Sequence, residues 1–162
     1  MTRPIKDLSN SVHQRLLNLA KKTGRPFNEM LQLYAMERFL YRLSVSKHSA
    51  HFVLKGGLML RVWNAPVTRP TKDVDLLGRT NNTVANLASI VHEVCAQEVA
   101  PDGMKFDPKT VVGSLIKEDA EYNGIRVKFT GLLGVARVSM QIDVGFGDIV
   151  VPSPIDIEVP TL

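Results

Sequence analysis

At 162 residues, 44% of them hydrophobic and 22% charged, the chain has the composition of an ordinary globular protein and can bury the core of one domain. It has no apolar run of membrane-spanning length, no secretory signal and only one cysteine, so we expect a cytoplasmic protein with no disulfide and no membrane partner. The net charge of +4 permits an RNA or nucleotide partner without requiring one.

The N-terminal part of the chain predicts a helical hairpin. Asp7 or Ser9 can cap a first helix, which should end at residues 23–26, where a glycine and a proline occur. A second helix is predicted over residues 27–43 from its apolar content. The basic residues of both helices, Arg42 among them, are interpreted as a solvated face.

A glycine pair comes after the hairpin. Residues 52–54 predict a short strand, and Gly56 and Gly57 come directly after it, where a helix over residues 57–63 should begin. Glycine lets the backbone approach a ligand closely, and the free N–H groups at a helix N-terminus bind phosphate. A glycine pair alone is a weak signal, so the phosphate hypothesis depends on the acidic motif farther along the chain.

Asp73 and Asp75 open a predicted strand that continues to Leu77. Side chains two positions apart on a strand point to the same face, so the two carboxylates should lie side by side. They repel each other at neutral pH unless a cation lies between them, and carboxylate oxygens favour Mg²⁺ or Mn²⁺. An Asp-x-Asp sequence is common by itself; its distance from the glycine pair strengthens the metal hypothesis.

The remaining elements alternate between helix and strand. They are a helix over residues 83–99, a strand or short helix over 105–116, a polar turn over 118–124, paired strands over 124–132 and 136–146, and an edge strand over 155–159. The turn between the paired strands is expected at residues 131–134. Cys95 is interpreted as a small buried residue of the helix.

Asp143 lies in the second of the paired strands, on the same face as Ser139 and Gln141. A carboxylate inside a strand is costly unless it is paired or binds a metal. If its strand lies beside that of Asp73, three carboxylates converge, as two-metal catalysis requires. The alternatives are that Asp143 is an exposed strand residue, or that Asp148, beyond a predicted bulge, is the third carboxylate.

The order of these motifs resembles a known superfamily. LKGGLMLR and RPTKDVDLL, followed by MQIDVGFGDIVVP, are similar to the motifs of polymerase-beta-like nucleotidyltransferases, and more narrowly to the AbiEii/AbiGii toxin family of abortive-infection systems. The resemblance implies an α+β fold with a mixed sheet flanked by helices. Together with the chain length and the predicted hairpin, this gives an expected single domain over residues 1–162, in which the helical hairpin (1–45) precedes the catalytic core (52–162).

The resemblance also implies roles for the motifs. The implied catalytic metal ligands, for Mg²⁺ or Mn²⁺, are Asp73, Asp75 and Asp143. The residues expected to bind the phosphates of an NTP are Gly56 and Gly57, to which sequence proximity adds Lys55, Arg69 and Lys72. The implied reaction moves a nucleoside monophosphate to tRNA or another RNA acceptor. A cognate antitoxin is the implied protein partner.

Two other functions fit parts of the pattern. One is a glycosyltransferase, in which Asp-x-Asp binds manganese and a sugar nucleotide. The other is a truncated remnant or binding module that acts through antitoxin or RNA contacts. Relatives in the toxin family usually continue into a helical C-terminal region with a further lysine and aspartate, whereas this sequence stops at Leu162. We therefore expect magnesium binding, weak NTP binding and little transfer by the 162-residue chain.

Overall fold

The computed structural model describes residues 7–58, 71–118 and 122–147, together with residue 158. The helices with complete bounds are α1 (Leu8–Thr23), α2 (Phe27–Val45) and α3 (Val84–Cys95), with a short 3-10 helix at Ser49–His51. The strands are β1 (Phe52–Lys55), β2 (Val74–Gly78), β3 (Met104–Glu118), β4 (Tyr122–Leu133) and β5 (Ala136–Phe146). The predicted α+β class and the N-terminal helices are confirmed.

Local signals set the bounds of the N-terminal helices. Asp7 accepts a hydrogen bond from the backbone N–H of Asn10 at 3.1 Å and so caps the start of α1. Gly24 ends α1 in the left-handed conformation (φ 68°), and its N–H donates to the carbonyl of Ala20. The second helix begins directly after Pro26. These are the start and stop signals that the sequence predicts.

The strands form one mixed sheet in the order β1-β2-β5-β4-β3. The central strand, β5, is parallel to β2 on one side and antiparallel to β4 on the other. The two edge strands, β1 and β3, are antiparallel to β2 and β4 respectively. Because parallel neighbours need a long connection between them, the chain forms α3, β3 and β4 between β2 and β5.

The core lies between the helices and one face of the sheet. The residues of β5 on this buried face are Val138, Met140, Ile142 and Val144. Phe39 of α2 belongs to the same core, with its ring centroid 5.8 Å from that of Phe106 and 5.0 Å from that of Phe129. The period-two alternation predicted for β5 is confirmed, and its other face carries Gln141 and Asp143.

A buried ion pair attaches α2 to the segment before β3. Arg42 is 5% exposed and Asp102 9%. The guanidinium donates to the two carboxylate oxygens at 2.8 and 3.1 Å and to the carbonyl of Met104 at 3.1 Å. The same carboxylate accepts the Met104 N–H at 3.0 Å, and the Tyr34 hydroxyl donates to the Asp102 carbonyl at 2.6 Å. The interpretation of Arg42 as part of a solvated face is therefore wrong.

Two of the predicted elements have different bounds. The helix predicted to reach residue 99 ends at Cys95, and residues 96–100 after it are exposed or only partly buried. The ambiguous residues 105–116 belong to strand β3, whose pairing with β4 is irregular between Asp107 and Val112. The polar turn predicted over 118–124 is shorter, since β4 already begins at Tyr122.

The turn between β4 and β5 also lies elsewhere than predicted. Leu133 pairs with Ala136, so the turn consists of Gly134 and Val135 instead of residues 131–134. Gly134 has a φ of 60°, which suits a tight two-residue hairpin turn, and Val135 is fully exposed. Gly131 lies in the strand, paired with Val138, and the Phe106 ring packs over it, only 3.1 Å from where a Cβ would lie.

Several predictions concern residues outside the described part of the chain. They include Arg69, Asp148, the helix beyond Leu58, and the edge strand over 155–159 apart from residue 158. Within the described residues, no helix is both long enough and apolar enough to span a bilayer.

Candidate active site

Two of the three predicted carboxylates face each other on neighbouring strands. In the parallel pairing of β2 with β5, the Cα partner of Asp75 is Asp143, which places their backbones about 5 Å apart. Asp73 directly precedes β2 and lies two positions from Asp75, so it extends the same face. The structure thus brings Asp73, Asp75 and Asp143 together on the side of the sheet opposite the core.

The negative charges of Asp73, Asp75 and Asp143 are close enough to affect one another. Burial is the largest cause that raises the pKa of both Asp73 and Asp75, and repulsion from Asp143 is the second. The cations that lower these pKa values are Arg126, Lys128 and Lys72 at Asp73, and Lys55 and Arg126 at Asp75. A raised carboxyl pKa means that the ionised cluster is unfavourable in the folded protein, and a bound cation would relieve it.

Arg126 of β4 holds the third carboxylate. Its Nε donates to Oδ1 of Asp143 at 2.9 Å and its Nη2 to Oδ2 at 3.1 Å, while Gln141 donates to Oδ2 at 3.3 Å. Arg126 and Asp143 are Cα partners across β4 and β5, and their side chains are 35% and 19% exposed. This bidentate geometry fixes the carboxylate in plane and direction. Sequence reasoning missed Arg126; the signal for it was the register of the β4–β5 hairpin.

Gly56 is packed against the carboxylate of Asp75. It has a φ of 77° and follows Lys55, the Cα partner of Asp75. A Cβ on Gly56 would overlap Oδ2 of Asp75 and lie 2.9 Å from its Cβ and Cγ. At Gly57, which starts a helical turn, a Cβ would lie 2.9 Å from Oγ1 of Thr71. The glycine pair therefore has a steric reason of its own, and its phosphate role stays a prediction.

A glutamine from the helical hairpin fixes the strand ends near the cluster. Nε2 of Gln32 donates to the carbonyl of Lys72 at 3.2 Å and to the carbonyl of Ser139 at 3.2 Å. Lys72 itself is exposed and directly precedes Asp73. Gln32 thus links the start of β2 to β5, and α2 contributes to the placement of the carboxylates.

Other chemically capable groups lie away from this cluster. Burial raises the pKa of the Cys95 thiol to about 12, which disfavours the reactive thiolate form at neutral pH. His48 bonds to Glu93 at 2.7 Å and serves as a contact between the end of α2 and α3. A cavity of about 620 Å³ lies between the start of α1 and residues 95–106, and none of the three aspartates lines it.

The cluster has the donor chemistry of a magnesium site, and Arg126 holds one of its three carboxylates. Carboxylate oxygens are the ligands that Mg²⁺ prefers. Among the residues that the structure describes, however, no three carboxylate, histidine or cysteine side chains are arranged to hold a metal. Both oxygens of Asp143 are instead bonded to Arg126. An ion held by all three aspartates would therefore share the oxygens of Asp143 with Arg126 or displace the guanidinium.

We expect Gly56→Ala to lower the free energy of unfolding by about 2–4 kcal/mol, measured by urea denaturation. One part of this loss comes from the positive φ of 77°, which a residue with a Cβ adopts only under strain. The other comes from the overlap with Asp75, which must move or rotate.

Gly24→Ala is the matched control, because Gly24 has a φ of 68° with no atom within 4 Å of the added Cβ. It should cost only about 1 kcal/mol. In an Asp75→Gly background, Gly56→Ala should cost no more than this control. An equal loss for the two single variants would show that Gly56 is not crowded by the carboxylate.

Comparison with known protein families gives a match over most of the chain. The family model described as nucleotidyl transferase AbiEii toxin, type IV toxin-antitoxin system, matches residues 38–162. The matched residues begin within α2 and include the glycine pair and all three aspartates. No curated protein and no solved structure matches the chain.

Proposed function

Because this chain belongs to the AbiEii nucleotidyl transferase toxin family of type IV toxin-antitoxin systems, we propose that it moves a nucleoside monophosphate from an NTP to an acceptor with the help of Mg²⁺. Family membership confirms the resemblance inferred from the motifs. The observation that carries the proposal is the parallel pairing of β2 with β5, which sets Asp75 against Asp143 with Asp73 on the same face.

In this proposal Asp73, Asp75 and Asp143 hold Mg²⁺ or Mn²⁺. Such an ion, when bound, offsets phosphate charge and activates the attacking hydroxyl. The electrostatics support this assignment, because burial and mutual repulsion raise the pKa of Asp73 and Asp75 and a cation would stabilise the ionised cluster.

We propose that the triphosphate binds at the β1 side of the carboxylates. Gly56 approaches the Asp75 carboxylate directly, and the helical turn at Gly57 begins next to it. Backbone N–H groups at such a turn donate hydrogen bonds to phosphate oxygens, so a phosphate there would lie beside the aspartates. Lys55, opposite Asp75, and Lys72, next to Asp73, supply positive charge, and Arg69 is a further candidate.

For the acceptor we propose tRNA or another RNA, which the net charge of +4 supports. Membership in a type IV toxin-antitoxin family implies an antitoxin as protein partner. The protein would then act by modifying an RNA until its antitoxin counteracts the effect.

The test is a transfer assay with four α-³²P-labelled NTPs offered separately to the purified chain with total RNA and Mg²⁺. We expect a low level of label in RNA, with a preference among the four NTPs, and its loss when EDTA removes the metal. Absence of transfer together with absence of metal-dependent NTP binding would contradict the proposal. Thermal protection by a UDP-sugar with Mn²⁺, and none by any NTP, would instead indicate a glycosyltransferase.

A further inference from the structure

A row of charged side chains runs across the sheet through the proposed site. The registers place Arg126 opposite Asp143, Asp143 opposite Asp75, and Asp75 opposite Lys55. Two carboxylates therefore lie between two cations, one on each side. On the Arg126 side the cation is bonded to its carboxylate through two parallel hydrogen bonds, a stronger and more directional contact than a single ion pair.

We infer that Arg126 is a positioning residue that holds Asp143 in the metal-free protein and competes with the metal for the oxygens of that carboxylate. The inference rests on the proposed function, because it assumes that the aspartates bind a divalent ion. A carboxylate offers about four lone-pair sites on its two oxygens. Arg126 occupies a site on each oxygen of Asp143, so an ion has to share these oxygens with the guanidinium or displace it.

The same contact has opposite effects on the two states of the site. In the metal-free protein, the guanidinium offsets one of three crowded negative charges and keeps Asp143 in a fixed orientation. When an ion enters, the guanidinium repels it and holds back one of its ligands.

The test is Arg126→Gln, with Mg²⁺ affinity measured by calorimetry and the melting temperature measured in EDTA. We expect the variant to bind Mg²⁺ about tenfold more tightly, because a cation near a divalent ion has been removed and Asp143 is released. Without metal, its melting temperature should fall by about 2–5 °C. A merely structural arginine would give the second effect without the first.

Arg137→Gln is the matched control. Arg137 is exposed on the same face of β5, six positions and therefore about 20 Å along the strand from Asp143. The net charge change is the same, but Mg²⁺ affinity should change less than about twofold. If both arginine variants raise the affinity equally, the effect is one of total charge and the inference is overturned.

A double-variant cycle separates release of Asp143 from simple repulsion. In an Asp143→Asn background, Arg126→Gln should raise Mg²⁺ affinity by no more than about threefold, because only the repulsion of the ion is then removed and the carboxylate for which the arginine competes is gone. A tenfold gain in that background would overturn the inference. If Arg126→Gln does not fold, Arg126→Lys keeps the charge but not the bidentate bond, and its affinity should still exceed that of the wild type.

The outcomes distinguish this inference from the proposed function. If neither the wild type nor Arg126→Gln binds Mg²⁺, the proposed metal site is wrong and the inference fails with it. If both bind Mg²⁺ with the same affinity, the metal site stands and the inference alone is overturned.

Discussion

Arg42→Met is expected to lower the free energy of unfolding by about 3–5 kcal/mol, the largest stability effect among the substitutions considered for this protein. Methionine retains the apolar length of the side chain but removes the hydrogen-bonded cation of Asp102, which is 9% exposed and keeps only the more distant Arg38 at 3.8 Å. Two hydrogen bonds to the carboxylate and one to the carbonyl of Met104 are lost with the guanidinium. Urea denaturation followed by circular dichroism measures the loss.

Arg137→Met provides the control, because this exposed arginine should change stability by no more than about 0.5 kcal/mol. The double variant Arg42→Met/Asp102→Asn should be more stable than Arg42→Met alone, since it leaves no unpaired buried charge. Equal losses for the two arginine variants would mean that the ion pair does not hold α2 to the sheet. Magnesium affinity at temperatures well below unfolding should not change, because Arg42 lies on the core side of the sheet.

The features that sequence predicts well here are set by nearby residues. Asp7 can cap α1 because its acceptor meets an N–H three positions away, and Gly24 ends the helix by its own backbone freedom. The alternation along β5 arises because one face is buried, which the residue types reveal directly. These features need no knowledge of which strand lies beside which.

Features that depend on pairing between distant segments cannot be predicted from local sequence patterns. Arg42 has the appearance of any basic residue on a helix, and its partner Asp102 lies 60 positions along the chain. Sequence pattern offers no local sign that the two would be buried together. Likewise, whether β2 lies beside β5 decides whether Asp73, Asp75 and Asp143 form one cluster, and the sequence left this conditional on the sheet order.

The predicted turn between β4 and β5 lies a few residues too early, and therefore does not place Arg126 opposite Asp143. With the turn at residues 131–134, the hairpin register would place a residue near the start of β4 opposite Asp143. The actual turn at Gly134 and Val135 shifts the register and brings Arg126 to that position. Strand registers are fixed by turn length, so a displacement of a few residues changes every cross-strand contact.

Asp75→Asn is expected to reduce nucleotide transfer by at least about a hundredfold, because it removes a negatively charged ligand from the centre of the proposed metal site. Asp75 faces Asp143 and Lys55 across its two neighbouring strands and touches Gly56, so each part of the proposed site adjoins it. The measurement is the rate of label transfer from the preferred NTP at saturating Mg²⁺.

The same substitution should leave the metal-free protein at least as stable as the wild type at neutral pH. Burial, Asp143 and Asp73 raise the pKa of Asp75 above its ordinary value of 3.8. The folded state therefore binds this proton more tightly than the unfolded state, and stability falls as the pH rises from near 3.8 through the raised pKa. Asparagine does not titrate. The free energy of unfolding of the variant, relative to that of the wild type, should therefore increase as the pH rises over that range, and the difference should vanish at lower pH.

Asp107→Asn is the control for the loss of a carboxylate from the same sheet. Asp107 accepts the N–H of Lys109 at 3.0 Å and lies outside the cluster, so its replacement should leave transfer unchanged and stability equal or slightly lower. For Asp75→Asn we expect lower transfer activity without lower stability. This combination is typical of a charged residue that serves function at a site where like charges repel one another. If Asp75→Asn instead destabilises the metal-free protein and retains transfer, Asp75 is a structural residue and the metal site has been assigned to the wrong carboxylates.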